Sequence, residues 1–174
     1  DLVEEIRKTI EKIVREIRKV LDEVRKHTED VIRDIRRVLK EVERHSREVV
    51  KRIRDERGTE KARDLVRRNK EKSERVVRRA RELVKRNEER SREVVKDLRR
   101  LVKEIKDLAK KLVDDGIDKD ELRKLVETLE KVVREVEEEL RRLNEELEKV
   151  VREVEKRARE SNDRLEKVVR EVER

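Results

Sequence analysis

The sequence predicts an all-α fold, a long antiparallel up-down-up three-helix bundle that is nearly straight and untwisted. Three observations predict it. Gly58 and Gly116 are the only two glycines, and they cut the 174 residues into three segments of nearly equal length. Within each segment the apolar residues recur every 18 positions. The chain also contains no Pro, so nothing interrupts a helix between the glycines. Charged residues make up 59% of it and no aromatic is present, a balance that would suit disorder if the apolar residues were scattered. They fall in register instead, as in chains built of long helices.

The elements follow in order as helices of about 2–57, 60–115 and 119–173 within a single domain spanning 1–174. Asp1 and Glu4 have capping spacing at the start of the first. Each Gly stands where a helix end wants a left-handed residue. Thr59 follows the first as an N-cap. After the second, Asp118 and Glu121 have capping-box spacing, and Ile117 with Leu122 occupy the two places of a hydrophobic staple. Loops this short make consecutive helices antiparallel neighbours. Helices of this length run roughly 80 Å at 1.5 Å per residue.

In the first helix Leu2, Val20 and Val38 form one apolar series, Ile6, Val24 and Val42 a second, and Ile17, Ile35 and Ile53 a third. The second helix repeats Leu65, Leu83 and Leu101, with Val66, Val84 and Val102 beside them. The third repeats Leu129, Leu147 and Leu165, then Val132, Val150 and Val168, then Val136, Val154 and Val172. Eighteen residues are five whole turns of a 3.6-residue helix, so the stripe does not drift and no supercoil is needed to keep it inward. Each stripe covers an arc of roughly 120–140°, enough for one seam shared by three helices. With no second apolar face, a monomer is expected. Both turn directions of the third helix place the same stripes inward, so the stripes leave the hand of the bundle open.

Some positions of the stripe change chemistry along the repeat. Thr9, His27 and His45 share one phase of the first helix; Ile10, Thr28 and Ser46 share the next. The second helix offers Asn69, Asn87 and Ile105, then Ser73, Ser91 and Ala109. The third offers Val126, Asn144 and Asn162, then Leu125, Leu143 and Ser161. Folding the chain at its glycines gathers His45, Ser46, Asn69, Ser73, Ser161 and Asn162 into one layer. A second layer gathers His27, Thr28, Asn87, Ser91 and Asn144. The far end is apolar, with Ile10, Ile105, Ala109 and Val126, apart from Thr9. Each polar layer thus holds one imidazole, two amides and hydroxyls, which can close a hydrogen-bonded ring across three helices. A shifted register would leave several of these groups buried and unpaired, so the expected job of the layers is to fix pairing and register.

The same residues argue against an active site. No carboxylate lies in the stripe to orient a histidine, and the constellation occurs twice. His27 and His45 stand roughly 27 Å apart along a helix and cannot share an ion, and one imidazole with neutral amides is a poor ligand set for zinc. No catalytic, cofactor-binding or metal residue is therefore assigned, and no cofactor is expected. With no Cys the compartment is unreadable. No apolar run approaches membrane-spanning length, no signal peptide opens the chain, and its first residue is not Met, as in a processed product. The three segments carry net charges of +3, +8 and −3, which favours pairing of the basic second helix with the acidic third. Acidic residues interrupt every basic run and no aromatic offers a stacking face, so specific nucleic-acid binding is not expected.

The 18-residue repeat, the paired His/Asn/Asn layers and the two short glycine loops resemble de novo designed single-chain three-helix bundles with buried hydrogen-bond networks. Recycled strings add to the likeness: Ser-Arg-Glu-Val-Val-Lys begins at Ser46 and Ser91, and Glu-Lys-Val-Val-Arg-Glu-Val-Glu at Glu130, Glu148 and Glu166. The resemblance spans the whole chain. It implies a structural scaffold with no natural biochemical function, no enzymatic activity and no required partner. Two other uses remain open. One is a rigid helical spacer or interaction module, pH-sensitive through its histidines or the parent of split hetero-oligomers. The other is weak non-specific nucleic-acid binding through the second helix.

Overall fold

A computed structural model of the chain describes residues 2–56 and 59–173. It contains three helices, α1 (Leu2–Glu56), α2 (Thr59–Asp114) and α3 (Lys119–Glu173). The turn expected at Gly58, the Thr59 cap and the Asp1 cap lie outside the described residues and side chains.

The second turn shows how the sequence ends one helix and begins another. Ile117 N–H donates to the Leu112 carbonyl over 3.1 Å, and Gly116 N–H donates to Val113 over 3.0 Å. This is the paired closure of a Schellman motif, and it puts Gly116 at φ +95°. A Cβ there would meet nothing within 4 Å, so the backbone angle and not crowding selects glycine. Asp118 then caps α3: its Oδ1 accepts the Asp120 N–H over 3.0 Å. The reciprocal half of the expected capping box is absent among the described bonds. Glu121 lies instead 3.8 Å from the Arg7 guanidinium of α1.

The packing falls into two compact units, residues 1–28 with 87–145 and residues 29–86 with 146–174. In the first, the opening half of α1 meets the closing half of α2 and the opening half of α3. That pairing makes α2 antiparallel to both α1 and α3. The second unit has the complementary halves and the same directions. The core of the first unit is one apolar cluster around Ile17, Val24, Leu129, Val136 and Leu140. The second unit has two, one around Leu39, Leu147 and Val154, the other around Ile53, Ala62 and Leu165.

The 18-residue series is clearest in α3, where Leu129, Leu147 and Leu165 are all fully buried. On α1 the edge of the stripe departs from expectation. Leu2 and Val20 are exposed and Val38 is half-buried, because their shared phase lies at the rim of the arc rather than its centre.

Candidate functional site: two polar layers in the core

In the second unit the layer is centred on Asn69, which is completely buried. Its Nδ2 donates to Ser46 Oγ over 2.9 Å and to Asn162 Oδ1 over 3.2 Å. Its Oδ1 lies 3.0 Å from His45 Nδ1. Ser46 Oγ also sits within 2.9 Å of the Val42 carbonyl and 3.2 Å of Asn69 Oδ1. A hydroxyl has one proton, and the shorter contact to the carbonyl takes it, the usual back-bond of a helical serine. Asn69 Oδ1 therefore receives its hydrogen from His45, which requires the proton on Nδ1. Asn69 uses both donors and its oxygen, and it ties α1, α2 and α3 together.

In the first unit Asn87 holds the equivalent place. Its Nδ2 donates to Asn144 Oδ1 over 3.1 Å and, more weakly, to Thr28 Oγ1 over 3.4 Å. Thr28 in turn donates to the Val24 carbonyl over 2.8 Å, and Ser91 to the Asn87 carbonyl over 2.9 Å. Thr28, Asn87 and Ser91 are buried and Asn144 is half-buried.

The histidines correct the sequence expectation. His27 is exposed and joins none of the described bonds of its layer; His45 is half-buried and joins its own. Their phase on α1 is about 100° from that of Thr28 and Ser46, on the flank of the stripe. From a flank, a side chain either reaches inward to a neighbour or turns into water, and Thr9 at the same phase is exposed too. Among the described residues, two buried side-chain atoms are left without a hydrogen-bond partner, Asn87 Oδ1 and Ser73 Oγ. Ser161 and Asn162 are half-buried, and Asn162 alone of the two enters the described bonds. At the apolar end Ile10 is buried, Ile105, Ala109 and Val126 are half-buried, and Thr9 bonds back to the Glu5 carbonyl over 2.9 Å.

Around these layers runs a set of ion pairs that the sequence expectation did not single out. Arg81 Nε approaches Glu155 Oε1 at 2.5 Å, and Arg99 holds Glu137 through two nitrogens, at 2.8 and 3.2 Å. The hydrogen bond, and then the charge, of each glutamate raises the basicity of its arginine. The signal was present in the sequence, since Arg63, Arg81 and Arg99 recur every 18 residues, as do Glu137, Glu155 and Glu173.

Among the described residues, no group of three or more His, Asp or Glu side chains is placed to hold a metal ion, and no helix is long and apolar enough to cross a membrane. No protein-family model and no curated protein matches the chain. Among solved structures it is similar to a computationally designed three-helix bundle, at 17% identity and a TM-score of 0.60, covering 99% of this chain and 89% of that one. The similarity is one of fold.

Proposed function

We propose that the chain is a designed structural scaffold without catalytic activity, whose polar layers specify which helices pair and in what register. One observation carries this reading: the same amide-to-amide and amide-to-hydroxyl contacts recur at two levels, each joining all three helices. Buried amides gain little net stability when bonded, about 1 kcal/mol each, but cost about 1–3 kcal/mol when stripped of a partner. Their effect is therefore larger on wrong arrangements than on the right one. The variant Thr28→Val, Asn87→Leu, Asn144→Leu tests this. Its circular dichroism should stay helical and its urea midpoint equal or exceed the parent's, whereas loss of helicity would show the layer to be a source of stability.

The reading includes a monomer folding as one domain. Leu2, Val20 and Leu108 are the exposed large apolar residues among those described, which leaves little for a second copy to cover. Sedimentation equilibrium should return the 21.3 kDa of one chain, and a doubled mass would contradict it. Weak polyanion binding is a second reading, favoured by a shallow depression on α2 that contains Arg75, Arg78, Arg79 and Arg86, with Glu82 the acid among them. A gel shift with DNA should vanish by about 200 mM salt; persistence would argue for a dedicated site.

A further inference from the structure

The ion pairs that connect different helices among the described residues include seven that end on α3. Four join α2 to α3: Arg63–Glu173, Arg81–Glu155, Arg99–Glu137 and Lys106–Glu130, at 2.6, 2.5, 2.8 and 2.7 Å. Three join α1 to α3: Arg7–Glu121 at 3.8 Å, Arg25–Glu139, and Glu43–Arg157 at 3.8 Å, the last with its signs exchanged. The α1 members recur every 18 residues, as do their partners, so each ladder stays on one flank of its helix along its whole length.

We infer that these two flank ladders select the order in which the three helices stand around the core, and so the hand of the bundle. The apolar stripes face inward in either order, so hydrophobic burial does not choose. The polar layers choose only weakly, because each carries an amide on both α2 and α3 beside a buried hydroxyl, Thr28 or Ser46, on the inward face of α1. That leaves the flanks. In the observed order the α1 flank bearing Arg7, Arg25 and Glu43 faces the α3 flank bearing Glu121, Glu139 and Arg157. The arginine flank of α2 faces the other, glutamate-bearing flank of α3. In the reverse order the α2 arginines face the Arg7, Arg25 and Glu43 flank of α1, where two of three positions repel them. All seven observed pairs are lost together. Each exposed pair contributes little alone, but all depend on the same choice, so their contributions act together.

Cysteine cross-linking in the otherwise cysteine-free chain reads the order directly. Arg36→Cys with Glu146→Cys places thiols just outside the facing α1 and α3 flanks of the observed order. Asp34→Cys with Glu148→Cys does the same for the reverse order. With a short bis-maleimide, the first pair should link in at least about tenfold excess over the second, and about 1 M NaCl should shrink that ratio. Introducing Arg63→Glu, Arg81→Glu and Arg99→Glu should lower the ratio at least about tenfold, and adding Glu137→Arg, Glu155→Arg and Glu173→Arg should restore it. A ratio unmoved by the three charge reversals in a chain that remains helical would overturn the inference. Should that chain lose helicity, the glutamine triple at the same arginines takes its place, and an unmoved ratio there would overturn it equally. The layer residues are intact in every variant, so this result is independent of the role proposed for them.

Discussion

The two polar layers occupy equivalent positions of one repeat, yet they are satisfied differently. Around Asn69 the histidine turns in, and the amide uses its oxygen and both hydrogens. Around Asn87 the histidine is exposed, and the buried amide oxygen has no partner. The serines differ in the opposite sense: Ser91 bonds the Asn87 carbonyl, whereas Ser73 Oγ is unpartnered. The 18-residue sequence repeat thus sets which positions are inward, but not which flank side chain turns inward. Each layer carries one unpaired buried atom, and the difference between them is measurable.

The largest contrast is expected at the central amides. Asn69→Ala strips partners from His45, Ser46 and Asn162 at once and should cost about 2–4 kcal/mol by urea denaturation. Asn87→Ala also removes an oxygen that has no partner, so its cost should be smaller, about 1–2 kcal/mol. Equal losses would mean the two layers are energetically alike. Next come the histidines. His45→Ala should lower stability by about 1 kcal/mol, while His27→Ala should stay within about 0.5 kcal/mol of the parent. A loss at His27 matching that at His45 would place its ring in the layer. The smallest effects belong to the serines and differ in sign. Ser91→Ala gives up a hydrogen bond and should cost about 0.5–1 kcal/mol, whereas Ser73→Ala relieves an unpaired hydroxyl and should be neutral or stabilising by up to about 1 kcal/mol. The slope of each urea transition should not change, since the area exposed on unfolding is the same.

Much of this was legible in the sequence, for reasons that differ by feature. The turn from α2 into α3 was legible because Gly116 and Asp118 each answer a specific backbone need at a helix terminus. Thr28, Ser46, Asn69, Ser73, Asn87 and Ser91 are buried because their phases lie near the middle of the α1 and α2 stripes, whereas Asn144, Ser161 and Asn162 on α3 are only half-buried. His27, Leu2 and Val20 were misplaced because their phases lie at its edge, where periodicity stops deciding. The ladders were hidden for another reason. Arg81 and Glu155 recur at the right spacing, but which flank meets which depends on helix order, and inward-facing stripes do not encode it. Packing of flanks against neighbours, rather than the repeat, supplies that information.

The central claim is that the layers limit the chain to one arrangement more than they hold it together. The amide proton–nitrogen NMR spectrum of the variant Asn69→Leu, Asn87→Leu, Asn144→Leu, Asn162→Leu tests it most directly, recorded beside a urea titration. The account predicts a helical chain with a urea midpoint at or above the parent's and more than one peak for many residues, as several helix registers become populated. A single sharp set of peaks would contradict it, because the arrangement would then be unique without its buried amides.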